Sequence, residues 1–193
     1  MNKMKPMAFA IPLMVMATAA DTDNAKPYAG FQDRKIASLS QNDIEDISNG
    51  LGWGLALPAE LNGYPGPTHV LDMKDELNLS EAQTSSINSI FMAMRTEAIL
   101  AGNKFLAAEI ALNEAFQSKT ITPQTLAELI QIAAVTRGEL RNIHLQAHLK
   151  TVEILRLDQI SRYNDLRGYD DDPCLNIPEG HSEEMWRLHN GCK

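Results

Sequence analysis

Apolar residues recur every three to four positions along two long stretches of the chain, and this pattern predicts a pair of helices. In the first, Ile87, Phe91, Met94, Ala98, Ala101, Phe105, Ala108, Leu112 and Ala115 form one seam. It opens with Ser80-Glu-Ala-Gln83, a capping box in which Ser80 accepts from the backbone N–H of Gln83 and the Gln83 side chain reaches back. In the second, Leu129, Ala133, Thr136, Leu140, Ile143, Ala147 and Ile154 make the seam. That helix starts at Thr122 with Pro123 in its first turn, where a missing N–H costs nothing. The break near residues 119–123 is short, and neither seam can be buried alone, so the two predict an antiparallel hairpin.

Shorter elements precede and follow. Ser40-Gln-Asn-Asp43 starts a helix that stops at Gly50, residues 56–61 suggest another, and residues 69–77 a third. Gly63-Tyr-Pro-Gly-Pro67 between them is a rigid turn. Residues 158–166 make a last helix closed by Gly168. No run of alternating β-branched residues occurs and aromatics are 6 %, so the expected class is all-α. The expected organisation is a signal peptide over 1–20, a leader over 21–39, a helical domain over 40–168 and a polar tail over 169–193.

Composition changes the picture in three ways. A net charge of −8 without a basic patch argues against nucleic acid as a partner. Lys3 and Lys5 ahead of the apolar run 7–16, then Ala17-Thr-Ala-Ala20, read as a cleavable export signal, with a run too short to leave a stable membrane span. Its removal would take five of the nine methionines and make the mature chain more acidic still. The two cysteines, Cys174 and Cys192, are expected to pair in an exported protein. A zinc site with His181 and His189 is the alternative, although the spacing fits no common finger. The tail is too polar to fold by burial alone, so a staple there decides whether it holds structure.

Leu79-Ser-Glu-Ala-Gln83 resembles the Leu-Thr-x-x-Gln motif of the Spy/CpxP family of periplasmic proteins. Leu155-Arg-Leu-Asp-Gln159 is similar to the second copy those proteins carry. Leu61-Asn-Gly-Tyr-Pro-Gly-Pro-Thr-His-Val70 and Tyr163-Asn-Asp-Leu-Arg-Gly-Tyr169 resemble a branch of heavy-metal-resistance, ZraP-like proteins. The resemblance spans about residues 60–169, judged by motif order. It implies a four-helix protomer that dimerises into a curved cradle in the periplasm. It further implies an ATP-independent chaperone or envelope-stress adaptor, binding unfolded envelope proteins or a sensor protein, or a metal-binding accessory. It implies no enzyme, and the chain shows no nucleophile–base pair or phosphate loop. The second copy departs from the motif: Arg156 stands where the capping Thr should be and Leu157 where Pro is common. Arg cannot cap, so either the helix runs on through Leu155 or Asp158 caps instead.

Two constellations could carry function. His144 and His148, four apart on one helical face, have the spacing for two imidazoles on one ion. The hairpin register sets them opposite residues 92–97, where Glu97 would be a third ligand and Met94 a soft one, for Zn, Cu or Ni. The plainer reading leaves both histidines as ordinary side chains flanking the seam. Second, Ile90, Ile99, Leu100, Leu106, Ile110 and Ile130 lie off the seams. They would meet the N-terminal helices, a second protomer or a client chain.

Overall fold

A computed structural model describes residues 26–169, 173–175 and 177–192. The expected export signal and the start of the leader lie outside the described residues. The chain divides into two units, Met1–Asp33 and Arg34–Lys193. Of the first, the described part holds a single 3-10 turn, Phe31–Asp33.

The second unit is all-helical among its described residues. Its elements are α1 (Gln41–Ser48), α2 (Leu57–Glu60), α3 (Pro67–Asp72), α4 (Glu81–Gln117), α5 (Pro123–Val152), α6 (Leu157–Arg167) and α7 (Glu183–His189). The long helices α4 and α5 pack along one another as the hairpin; α1 and α3 lie on α4, and α2 and α3 also reach α5. Seam residues Ile87, Met94, Ala98, Ala101, Phe105 and Ala108 on α4 are buried, as are Ala133, Leu140 and Ala147 on α5. Two cores result. One gathers Ile36, Leu39, Ile47 and Leu55 against Phe105, Leu106 and Leu140; the other joins Val70, Leu77, Ile87, Leu155 and Tyr163 at the hairpin base.

The caps follow the sequence closely. Ser40, Ser80 and Thr122 each close a capping box at the start of α1, α4 and α5. The third short helix departs from expectation: it begins at Pro67 and ends at Asp72, and residues 73–78 continue as turns, with Asn78 in the left-handed region at φ 49°. Pro67 supplies the helix start because its ring presets φ and no partner is needed for its nitrogen.

The second Leu-x-x-x-Gln copy does bend the chain. α5 stops at Val152 and α6 starts at Leu157, with Arg156 extended between them at ψ 158°. Neither of the two expected alternatives holds. The donor-only Arg156 guanidinium grips Asp158 instead (2.9 and 2.7 Å), and Gln159 Oε1 accepts from the Arg156 backbone N–H at 3.0 Å. Half of a capping box therefore suffices. Its glutamine also meets that of the first copy. Gln83 Nε2 donates to Gln159 Oε1 (2.8 Å) and to the Ile154 carbonyl (3.0 Å), while Gln159 Nε2 donates to the Leu77 carbonyl (3.1 Å). The two motif copies thus form one buried clasp, with Gln159 1 % exposed.

Helix α1 crosses α4 at Gly102. A Cβ there would stand 2.6 Å from the Ile47 carbonyl oxygen and 2.9 Å from Ile47 Cγ2, so the close approach requires glycine. Gly138 on α5 is the opposite case, with nothing within 4 Å of an added Cβ. Gly138→Ala is therefore expected to stabilise the fold by about 0.5–1 kcal/mol through helix propensity. Gly102→Ala, with the same propensity gain, should destabilise it by about 1–3 kcal/mol through overpacking. Urea unfolding of the two variants checks the opposite signs.

Cys174 and Cys192 are disulfide-bonded, with Cα atoms 5.5 Å apart. The loop they close holds α7, which the sequence reading did not foresee. It is held by Trp186 Nε1 donating to the Pro173 carbonyl (2.7 Å) and by a Glu183–Arg187 pair one turn apart. No described helix is long and apolar enough to cross a membrane.

Candidate functional site: a buried carboxylate and the cavity beside it

The turn-length α2 ends at Glu60, which is 6 % exposed. Burying a carboxylate is costly unless donors surround it, and here they come from four other parts of the chain. Oε1 accepts from the hydroxyls of Tyr163 and Tyr169 (2.8 Å for Tyr169), with His69 Nδ1 at 3.2 Å and Arg167 Nε at 3.6 Å. Oε2 accepts from the Gly66 backbone N–H at 3.2 Å, with His148 Nδ1 at 3.8 Å. The α6 helix ends at Gly168 in the left-handed region, and that reversal returns Tyr169 toward Tyr163 (ring centroids 6.3 Å apart). Burial acts to raise the Glu60 pKa, but the hydrogen bonds from Tyr163 and Tyr169 and the charges of His69 and His148 outweigh it. The net is a carboxyl held below its ordinary value of 4.5. Burial, and then Glu60, push the Tyr163 phenol upward, so it stays a donor.

The two stretches that carried the resemblance to the heavy-metal-resistance branch, residues 61–70 and 163–169, therefore meet at one acid just outside both. Glu60 was not singled out from sequence. A signal existed: His69, Tyr163, Arg167 and Tyr169 are a surplus of donors in those stretches, and such donors call for an acceptor.

His148 belongs to the same group. Its Nδ1 lies 2.6 Å from the Tyr64 carbonyl, which only accepts, so Nδ1 carries the proton. Gly66 makes room for this ring, because a Cβ there would sit 2.8 Å from His148 Cε1. One turn away, His144 is 3 % exposed and its Nε2 has no hydrogen-bond partner. Burial, and secondly His148, hold the His144 pKa below its ordinary value, so the ring is neutral near pH 7.

Both histidines line a cavity of about 490 Å³ between residues 50–57, α2–α3 and the hairpin. Its apolar wall includes Trp53, Leu57, Pro67, Phe91 and Met94. Trp53 sits at φ 42°, a conformation costing roughly 1–2 kcal/mol for a residue with a side chain. It is fixed there by Nε1 donating to Asp43 (2.8 Å) and by the Arg137 guanidinium 5.4 Å from its ring.

The structure brings only part of the expected metal set together. His144, His148 and Met94 share this cavity, whereas Glu97 is exposed and lines a groove on another face of the hairpin, with Ile90, Asn142, Ile143 and Lys150. The expected register left out azimuth. Each residue turns 100° about the helix, so Glu97 and the histidines, each one place off their seams, diverge to different sides. Among the described residues no group of three or more His, Cys, Asp or Glu is placed to hold a metal ion. Of the expected apolar face, Leu106 is buried and Ile99 and Ile110 are half-buried, while Leu100 and Ile130 are exposed. Compared with known proteins, the chain matches no family model, no curated protein and no solved structure.

Proposed function

We propose that this chain is an exported, ATP-independent holder of unfolded or partner polypeptides, working in the periplasm as a homodimer and performing no chemistry of its own. The observation that carries the reading is the face of the hairpin that stays exposed among the described residues. Short helices lie on one side of α4 and α5, while the groove side keeps Ile90 and Ala93 open. Leu100 lies two turns beyond Ala93, and Val135 and Leu149 lie two turns either side of Asn142, so the same face continues through them. These three are 62 %, 47 % and 46 % exposed, with Glu97 and Lys150 among them. An apolar stripe edged with charge suits extended, partly apolar chains. The two motif copies add support, because their glutamines lock the hairpin base while leaving this face unused.

Metal binding as the main role has weaker support: two imidazoles and a thioether share a cavity, and the acid expected to complete them does not.

Diluting a denatured test enzyme into buffer without nucleotide tests the proposal. At equimolar protein, light scattering should fall by more than about half, and Leu100→Asp with Val135→Asp should restore it while the thermal melt stays nearly unchanged. No suppression by the unaltered protein, or full suppression by the double variant, would overturn it.

A further inference from the structure

We propose that the cavity beside Glu60 is a binding site for a small aromatic carboxylate, its ring among Trp53, Phe91 and Met94 and its acid toward His144 and Arg95. The site opens on a different face of the hairpin from the groove, with Met94 between the two, and does not depend on that reading.

Four observations converge on this ligand class. The volume of about 490 Å³ falls within the ~300–1,000 Å³ of small-molecule sites, and the wall is mainly apolar and aromatic, as such sites are. His144 lines the cavity and its buried Nε2 has no hydrogen-bond partner, a group that calls for an explanation which a ligand acceptor supplies. With its proton on Nε2, the neutral ring offers a donor without bringing a charge of its own.

Charge then decides the sign of the ligand. Of the lining side chains only Arg95 and Glu60 carry permanent charge. Glu60 is already surrounded by Tyr163, Tyr169, Gly66, His69 and Arg167, which leaves it little capacity for a cation. Arg95 makes a long bond, 3.4 Å from Nε to the Asn49 carbonyl, and is otherwise exposed. An incoming anion therefore finds a donor and a cation, whereas an incoming cation finds a carboxylate already satisfied. The flat walls of Trp53 and Phe91 select a planar apolar body.

The test uses 2-naphthoate and its uncharged methyl ester, with Trp53 as reporter in a Trp186→Phe background, since these are the chain's two tryptophans. Naphthoate should quench Trp53 saturably, and His144→Leu and Arg95→Met should each weaken its affinity about tenfold. The ester should bind all three proteins within about twofold. Arg95 is exposed, so its variant keeps the test valid should His144→Leu fail to fold, as judged by near-ultraviolet circular dichroism. Leu100→Asp/Val135→Asp should leave naphthoate binding intact. Unsaturable quenching, or equal naphthoate affinity in the parent and Arg95→Met, would overturn the proposal and leave a solvent-filled hollow.

Discussion

Glu60→Ala should lower the stability of the fold by about 3 kcal/mol, which for a chain of this size is a fall of roughly 6–12 °C in melting temperature. The magnitude comes from what is left behind. Tyr163 is fully buried, and without the carboxylate its hydroxyl has no strong acceptor, while the Gly66 N–H loses its only side-chain partner. Each orphaned group costs about 1–3 kcal/mol. The ion pairs add less, because His69 and Arg167 are partly exposed and regain water. Glu60→Gln separates charge from shape. Its carbonyl still accepts from the tyrosines, but its NH₂ faces another donor at Gly66. The pH dependence follows from the depressed carboxyl. Glu60 contributes fully above its ordinary value of 4.5, and the contribution is lost as pH falls through the lower folded value. The gap in urea midpoint between the parent and Glu60→Gln should therefore be widest near neutrality and narrow as pH falls below 4.5 through the lower folded value. A gap that does not change with pH across the acid range would show that the charge is not what matters.

Gln159→Leu carries the second large effect, about 2–3 kcal/mol, at nearly constant volume. The Leu77 carbonyl and the Arg156 N–H would both be left without their partner, in a position 1 % exposed. Gln83→Leu should cost less, since that side chain is nearer solvent. Because the two amides bond each other, the double variant should be less damaging than the sum of the singles, with a coupling above about 0.5 kcal/mol. Additive losses in a double-mutant cycle would mean that the motif copies act separately.

These two residues also show where sequence reading works and where it stops. The seams of α4 and α5, the Ser80 and Thr122 caps and the Cys174–Cys192 pairing were legible because each depends on spacing within a few residues or on a count of cysteines. Gln159 was legible as a motif member, but not its fate, because its partners Gln83 and Leu77 lie 76 and 82 residues away. Arg156 misled for a related reason: the rule that arginine cannot cap is sound, yet the glutamine three residues on did enough of the work. Glu60 stayed invisible because its donors come from α3, α5, α6 and the turn after α6, and no local pattern records their convergence. The Glu97 pairing failed on rotation rather than register, a distinction that a linear periodicity does not carry when both residues sit one place off the seam.

The hairpin is braced unevenly. Near its base it is held by the glutamine clasp, by α3 and by the Glu60 group; farther along, α1 covers Gly102, and the Asn113 side chain bonds the backbone of Lys35 and Ala37. Past Asn113 the hydrogen bonds described for the two long helices are local to the turn that joins them. The last turns before Gln117 and the first after Pro123 are tied by the loop at residues 118–122, so they can fray or swing only together, as one tip on a fixed base. Phe116 and Ile130, exposed at that end, would be the first apolar groups such fraying offers to a passing chain. The tip can yield to what touches it while the base keeps its shape.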